Sequence, residues 1–392
     1  MINAGQPRFL SALLSQVLVA FTLEVDNEFK VGMARLGCPG VSLSLNLWDN
    51  LFRFVPADGV SVRELAVAAM APESRIKFQL GCLERWRLIT FDSGTALAGR
   101  RDGWGSGRGI RQSWIIRLTH TGQAACSVWL PLPEFVEQRW ESRFGSDPIA
   151  RLRQTLLEIA GKREHEWPRS LQYTSLDQMK YPPRSSSEGS HAAGIPTLLT
   201  WILLAFSTEF DRESKVPLAL CANTIRVLGT HPIREADVAR LTGGSPEAVA
   251  IGWQLKPFVV VEPDPSAKRG KVLTLSPKGQ EAKEKYLRLN EQIERDWESR
   301  FGNQKIDDLR ESLAALFVPG SDGRPLIAKG LIPAQGTVRS GAPMPSLGRR
   351  ELGSAALQRA RDRVAQTKSF FSDPAGTLPH YPLWDMNRGF GP

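Results

Sequence analysis

The sequence predicts a mainly α-helical protein with small β-hairpins, in which one structural unit occurs twice. Two observations carry this prediction. The hexapeptide WESRFG occurs at 140–145 and again at 297–302. Around it, residues 118–145 match residues 275–302 without a gap, and about half of the positions are identical. A repeat of this length indicates a duplicated unit, so one pattern of elements should describe both copies.

The duplication extends well beyond this match. Residues 149–159 resemble 306–316, and upstream segments also pair, although with other offsets: 17–26 with 202–211, 62–68 with 233–239 and 83–92 with 255–264. We therefore divide the chain into a first unit (1–160), a linker (161–195), a second unit (196–317) and a tail (318–392). The linker is polar and rich in Pro, Ser and Gly, which is typical of an exposed connector.

Each unit opens with helices. Large apolar residues recur at three- and four-residue spacing in the first of them, which predicts a helix over 8–30: Leu10, Leu14, Val17, Phe21, Val25 and Phe29. A second helix is predicted at 44–54 and 219–229, and a short third helix at 61–70 and 233–242. A turn with Pro or Gly then leads into a fourth helix, at 72–86 and 245–258.

Two β-rich stretches follow the fourth helix in each copy. They read RLITFD and SWIIRLT in the first copy, and FVVVEPD and KVLTLS in the second. The unit closes on a long helix that starts at T-x-x-G-Q or S-P-K-G-Q and runs through WESRFG. This order of helices, turn, helix and β-hairpin is the layout of the winged helix-turn-helix.

The motifs SVRELA, LERWRLI and LTHTGQAA, and the run D-x4-R-G-K-V-x-x-L-S-x-x-G from Asp264 to Gly279, resemble the MarR family of bacterial transcription regulators. The resemblance covers both units but neither the linker nor the tail. That family dimerises through its first and last helices. The resemblance therefore implies an intramolecular pseudo-dimer, with WESRFG at its interface. Trp140 and Trp297 would be interface anchors there, or ordinary core residues.

The fourth helix of the first copy is the candidate base-reading helix. Its polar side chains can contact base edges or phosphates; they are Ser74, Arg75, Lys77, Gln79 and Arg85. The alternative is a solvated helix face. The loop that follows combines Gly with repeated Arg, which suits a phosphate track or a narrow minor groove; its arginines are Arg100, Arg101, Arg108 and Arg111. A disordered loop with incidental charge is the alternative.

The second copy differs at the same place. Its segment GGSPEAVAIGWQL contains no Lys or Arg, although Ser245 and Gln254 can still donate hydrogen bonds. Its wing keeps Lys268, Arg269 and Lys271. The resemblance implies that Asp264 braces this wing and that Arg269 points toward a groove. We therefore expect the first copy to be the main reader of bases and the second to contact the DNA backbone.

Charge is compatible with a nucleic-acid partner. The chain has 50 Lys and Arg against 41 Asp and Glu, a net charge of +9, and a pI near 9.6. The excess is concentrated in the first unit and in the tail, while residues 196–316 are balanced. A net positive charge alone is weak evidence for DNA binding.

Other features narrow the class of protein. Four scattered cysteines and five dispersed histidines predict neither a disulfide framework nor a metal site. The apolar N-terminal run recurs at 202–211, so we interpret it as a core helix rather than a signal peptide and expect a cytoplasmic protein. No run is long enough to predict a membrane helix. No catalytic or cofactor motif is present, so no enzyme and no cofactor are expected.

Two functional classes remain. The first is a sequence-specific transcription regulator that binds double-stranded DNA; by resemblance, it would respond to a small apolar or phenolic effector. The second is a tandem winged-helix module for protein assembly, with weak or no specific DNA binding. The sequence leaves open whether two chains form a homodimer.

The tail has three parts. After Leu316 the chain lacks periodicity, which predicts an extended or disordered stretch. Residues 349–371 are expected to form a basic helix. The final stretch contains LPHYPLW. Its Tyr and Trp predict docking on a folded surface, and a cleft between the opening helices and one unit is a candidate.

Overall fold

The computed structural model describes residues 8–38, 41, 43–69, 73–92, 109–161, 193–243, 255–266, 270–331 and 373–382. Over these ranges the protein is mainly α-helical with two small antiparallel sheets. The predicted fold class is confirmed at that level. The linker core (162–192), most of the tail and the loop between the first two hairpin strands lie outside the described residues, as does the predicted basic helix.

The first copy contains seven α-helices, one 3-10 helix (Phe52–Phe54) and three short strands among its described residues. The helices are α1 (Leu10–Arg35), α2 (Leu45–Asn50), α3 (Val62–Ala68), α4 (Glu73–Arg85), α5 (His120–Trp129), α6 (Leu132–Phe144) and α7 (Ser146–Gly161). The strands are β1 (Val60–Ser61), β2 (Ile89–Asp92) and β3 (Ile115–Leu118). They form one sheet in the order β1-β3-β2.

The second copy repeats this order. Its helices are α8 (Ile195–Glu213), α9 (Leu218–Leu220), which continues into a π-helical turn over Cys221–Ile225, α10 (Glu235–Thr242), α11 (Pro277–Phe301) and α12 (Asn303–Ala315). Its strands, β4 (Ile233–Arg234), β5 (Val259–Pro263) and β6 (Lys271–Leu275), form a sheet in the order β4-β6-β5. The counterpart of α4, predicted at 245–258, lies almost wholly outside the described residues.

The closing helix corrects one prediction. It is continuous in the second copy, as α11, but it is broken into α5 and α6 in the first. The break falls at Leu130 and Pro131. Proline lacks the backbone N–H that a helix interior needs and its ring clashes with the preceding turn, so two prolines in LPLP interrupt the helix. The corresponding LRLN of the second copy imposes no such break.

The T-x-x-G and S-x-x-G signatures have one structural cause in both copies. Thr119 and Ser276 cap the closing helix by accepting hydrogen bonds from the N–H groups of Gly122 and Gly279. A Cβ on either glycine would lie 2.0 Å from a backbone carbonyl oxygen of the preceding segment. Only glycine allows the closing helix to pack this close to the chain entering the hairpin.

The repeated WESRF motif holds the opening helix of its own copy. In the first copy, Trp140 Nε1 donates to Glu24 Oε2 at 2.9 Å, and Arg143 donates two hydrogen bonds to the same carboxylate, at 2.9 and 2.6 Å. The Trp140 ring also packs edge-on against Phe21, with centroids 5.1 Å apart. Glu24 is only 2% exposed, so these donors compensate a buried charge.

The second copy repeats this cluster with a more exposed arginine. Trp297 Nε1 donates to Glu209 Oε2 at 2.9 Å, Arg300 donates to Glu209 Oε1 at 2.9 Å, and Phe206 packs edge-on against Trp297 at 5.3 Å. Both tryptophans are fully buried. The ring and hydrogen-bond contacts described for them lie within their own copy. Of the two readings of these residues, the structure therefore favours the core residue over the interface anchor.

Equivalent glutamates link the two copies reciprocally. Glu137 on α6 accepts a hydrogen bond from Ile195 N at 2.8 Å, at the start of α8. Glu294 on α11 accepts one from Leu10 N at 2.6 Å, at the start of α1. Each copy thus neutralises the N-terminus of the other copy's opening helix, where unpaired N–H groups favour a negative charge.

Two arginines take part in the same reciprocal contacts between the copies. Arg153 of α7 pairs with Glu137 and donates to Ala193 O at 3.0 Å. Arg310 of α12 pairs with Glu294 at 2.6 Å and donates to Arg8 O at 3.1 Å. Contacts that are matched in both directions in this way are the property of a two-fold interface.

The helices between the copies only partly follow the prediction. α1 packs against α8 and α7 against α12, and the cross pairs α1–α12 and α7–α8 complete the contact. The interface implied by the resemblance consisted of the opening and closing helices and so omitted α7 and α12. These two amphipathic helices bury Ile149, Leu152 and Leu156, and Ile306, Leu309 and Leu313. The heptad-like spacing of these residues was the signal for them.

Two parts of the tail are ordered, which corrects the prediction for residues after Leu316. Residues 317–331 turn back through a bridge between Pro319 and Pro325 and end in a 3-10 helix, Leu326–Leu331, that packs against α1. Its residues Ile327 and Leu331 are buried. Because only a few apolar residues make this contact, the sequence has no periodic pattern that predicts it.

α1 lies at the centre of the molecule. It is long and apolar enough to cross a membrane by length and composition, but 94% of its most apolar window is buried inside the protein. The buried side chains of α1 also include polar ones such as Ser11, Ser15 and Gln16. α1 is therefore the core helix around which both copies pack, as is common in soluble proteins.

Candidate nucleic-acid interface

Helix α4 presents two distinct faces. Ile76, Leu80 and Leu83 are fully buried and recur at the spacing of one helical face. This face packs toward α3 and β2. Lys77 is half-buried and Arg85 is exposed on the remaining surface. The helix can therefore present these two cations outward while its apolar face is fixed.

Gln79 does not belong to the outer face. It is 2% exposed and falls on the same helical face as Ile76, Leu80 and Leu83. A side chain buried in this way cannot reach a base edge, so the expectation for Gln79 is corrected. The error arose because Gln was selected by its chemistry rather than by its helical position. Ser74 and Arg75 belong to α4, but their side chains lie outside the described residues.

Helix α3, which precedes α4, begins with a capping box. Ser61 Oγ accepts a hydrogen bond from Glu64 N at 3.1 Å, and Glu64 Oε2 accepts from Ser61 N at 3.0 Å. The Ser61 hydroxyl also donates to Glu64 Oε2, at 2.7 Å. This hydrogen bond, together with that from Ser61 N, lowers the pKa of Glu64 and so favours its charged form at the helix N-terminus. Strand β1 ends at the same residue, so the cap also fixes where the sheet meets the helix pair.

The hairpin of the first copy places Arg111 on the surface. β2 and β3 pair in antiparallel register, for example Thr90 with Arg117. Arg111 is exposed just before β3. Arg100, Arg101 and Arg108 lie outside the described residues. The structure therefore fixes the base of this loop and one of its four predicted arginines.

Sequence reasoning missed Arg63. It is exposed at the start of α3, and its backbone N–H donates to Gln112 O at 3.1 Å, beside Arg111. Two arginines thus lie where the helix pair meets the hairpin. The repeat contained the signal, because aligning 62–68 with 233–239 pairs Arg63 with Arg234.

In the second copy the equivalent arginine is held by the hairpin. Arg234 Nε lies 3.1 Å from Asp264 Oδ2, and its guanidinium also donates to Ser266 Oγ at 2.9 Å. Asp264 Oδ1 accepts from the backbone N–H and the hydroxyl of Ser266, at 2.8 and 2.6 Å. These hydrogen bonds, together with Arg234, lower the pKa of Asp264. Asp264 thus braces the base of the hairpin, as expected.

Of the other residues predicted to contact DNA in the second copy, one lies within the described part of the chain. Lys271 is exposed at the first position of β6. Lys268 and Arg269 lie outside the described residues, as does the segment 244–254 with Ser245 and Gln254. The described parts of both copies thus bring an arginine and a hairpin together in the same way. They differ in that Arg234 is engaged by a carboxylate.

Asp92 is the first copy's counterpart of Asp264, and it has a different partner. Its carboxylate lies 3.8 Å from Arg117 Nε on β3, and both side chains are about half exposed. Arg117 also donates to Asp58 O at 2.6 Å. The acid at this hairpin base is therefore occupied by a strand arginine, and Arg63 stays on the surface.

Comparisons with known proteins give no match. No protein-family model, no curated protein and no solved structure matches the chain.

Proposed function

We propose that this protein is a sequence-specific DNA-binding transcription regulator, in which two winged helix-turn-helix units form an intramolecular pseudo-dimer. The main support is the order of elements, which is the same in the described parts of both copies. In each copy a three-stranded sheet with a β-hairpin accompanies helices, which are the pair α3 and α4 in the first copy and α10 in the second. The protein acts in the cytoplasm of a bacterium, without catalysis of its own.

The first copy is the main reader of bases in this proposal. Helix α4 buries one apolar face and leaves Lys77 and Arg85 on its surface, while Arg63 and Arg111 are exposed beside the hairpin. Arginine and lysine are the residues that most often contact guanine and phosphate. This cluster can follow a duplex from a groove to the adjacent backbone.

The second copy contributes mainly backbone contacts. Its counterpart of Arg63 is paired with Asp264, which reduces the charge available to a phosphate. Lys271 remains exposed at the hairpin. An unequal pair of readers favours a binding site that is not a palindrome, because palindromic operators mirror equal half-site readers.

The first test is salt-dependent binding of the full chain to a mixed-sequence duplex. Lys77→Ala combined with Arg85→Ala should weaken binding at least ten-fold and reduce the slope of log affinity against log salt by about 2. The matched control is Arg151→Ala combined with Arg295→Ala, which removes two exposed charges from α7 and α11. This control should change the affinity less than three-fold.

The same measurement separates the two functional classes. If the duplex does not bind at low salt, or if both double variants lose the same affinity, the base-reading proposal is wrong. The protein would then be better explained as a tandem module for protein assembly.

A further inference from the structure

The C-terminal segment 373–382 lies in a groove built from both copies. It begins with a single helical turn, Pro374–Thr377, which packs against α10. It then crosses α1, α8 and the π-helical turn after α9 on an irregular path that bends at Leu378, His380 and Tyr381. There it makes the hydrogen bonds described below. Residues 332–372, which connect it to the body, lie outside the described residues.

The second copy binds the backbone of this segment through one asparagine. Asn223 Nδ2 donates to Tyr381 O at 2.7 Å, and Tyr381 N donates to Asn223 Oδ1 at 3.1 Å. The side-chain amide thus satisfies both backbone groups of one residue, as a neighbouring strand would. Asn223 is fully buried, so a vacant groove would leave its amide without these partners.

The first copy binds the other side of the segment. Gln16 Nε2 donates to Ala375 O at 2.8 Å and to Leu378 O at 3.1 Å. Ser15 Oγ donates to Pro379 O at 3.0 Å. Both residues are fully buried polar residues of the core helix α1. Polar residues at such positions are costly unless they are hydrogen-bonded, and the segment provides their acceptors.

Two side chains of the segment are buried in the groove. Leu378 is 1% and Tyr381 2% exposed, and the Tyr381 hydroxyl lies 3.2 Å from Ser207 Oγ on α8. Gly243 allows the close approach, because its φ is +72° and a Cβ there would lie 2.0 Å from Thr377 O. The groove therefore fits a leucine and a tyrosine three residues apart on a bent chain.

We propose that this groove is a peptide-binding site for a Leu-Pro-x-Tyr segment, and that the chain's own residues 373–382 occupy it. The occupant joins α1 of the first copy to α8 and α10 of the second, so its docking ties the helix pair of the second copy to the central helices. In this proposal the docking is reversible, so that a separate peptide of the same sequence competes for the groove. This inference does not depend on DNA binding.

His380 of the segment is half-buried among positive charges. Desolvation, together with the charges of Arg226 and Arg8, lowers the pKa of His380 well below its usual value, so the docked imidazole is neutral.

The test uses the full chain with Leu378→Asp and Tyr381→Asp, which vacates the groove without altering its walls. A fluorescent peptide of residues 373–382 should bind this variant at least ten-fold more tightly than it binds the unaltered chain. A peptide carrying the same two substitutions should not bind. The proposal fails if the unaltered peptide binds neither chain, or binds both equally.

A second measurement does not require the groove to be emptied. In the unaltered chain, the Tyr381 amide should exchange its hydrogen slowly, and Asn223→Ala should accelerate that exchange at least ten-fold. Asn27→Ala is the matched control, because the hydrogen bonds of Asn27 within the described part of the chain go to the carbonyls of Gly330 and Leu331, at 3.5 and 3.4 Å, rather than to the segment. If Tyr381 exchanges as fast in the unaltered chain as in the free peptide, the segment does not dock.

Discussion

Two aspartates act at equivalent places in the copies: Asp26 is buried and Asp211 is half-buried. Asp26 Oδ1 accepts a hydrogen bond from Leu45 N, and Asp211 Oδ1 accepts one from Leu218 N, both at 2.8 Å. Each thus joins an opening helix to the start of the next helix. Burial raises the pKa of Asp26 to about 7, although the N–H of Leu45 and the charge of Lys30 act in the opposite direction. Burial likewise raises the pKa of Asp211 to about 6.

These shifts predict how stability depends on pH. Between about pH 4 and pH 7 the folded state keeps protons that the unfolded state has lost, so the free energy of unfolding should fall as pH rises. Asp26→Asn with Asp211→Asn should remove most of that fall, on the order of several kcal/mol, because each pKa unit corresponds to about 1.4 kcal/mol. Urea unfolding at pH 4, 6 and 8 measures it, with the exposed Asp147→Asn as control. An unchanged slope in the double variant would contradict the assignment.

At the scale of elements, the T/S-x-x-G start of the closing helix predicts a specific cost. Gly122→Ala or Gly279→Ala should lower the free energy of unfolding by about 2–4 kcal/mol, because the new Cβ meets a backbone carbonyl that cannot move away. Gly161→Ala, at the exposed end of α7 with no atom within 4 Å of its Cβ, should change it by less than about 1 kcal/mol. Equal effects of the three substitutions would refute this explanation.

The sequence predicted most elements because the repeat allowed each to be read twice. It did not predict β1 and β4, since two-residue strands such as Val60–Ser61 have no alternation to detect. It also assigned the closing helix of the first copy as continuous, although Pro131 should have signalled the break. The docking of the tail was expected, but its contacts were not. They depend on buried polar residues of α1, Ser15 and Gln16, whose positions only the fold reveals.

The candidate interface was predictable to a lesser degree. The cations of the fourth helix were found by residue type, and Gln79 shows the limit of that approach, since helical position decides which side chains face outward. Arg63 was missed because it lies outside the predicted reading helix. It becomes relevant only when the sheet brings the start of α3 beside the hairpin.

At the scale of the whole molecule, the reciprocal contacts of Glu137 and Glu294 predict that the copies stay together without the linker. A protease site inserted within 162–192 should, after cleavage, give two fragments that elute as one species in size-exclusion chromatography. Glu137→Lys with Glu294→Lys should promote separation, because each lysine would face an N–H group and an arginine.

The matched control for that experiment is Glu141→Lys with Glu298→Lys. These residues lie one helical turn further along the same two helices. Among the described residues, neither carboxylate forms a hydrogen bond or an ion pair with the other copy. The control should not separate the fragments. Separation of the unaltered fragments in native buffer would mean that the linker, rather than the interface, holds the copies together.

The most direct test of the proposed function is selection of binding sites from a random duplex library with the purified full chain. The account predicts enrichment of one preferred site that is not a palindrome, because Lys77, Arg85, Arg63 and Arg111 make the first copy the stronger reader. Selection that enriches no sequence over the starting library, or that enriches a palindrome with two equal half-sites, would contradict it.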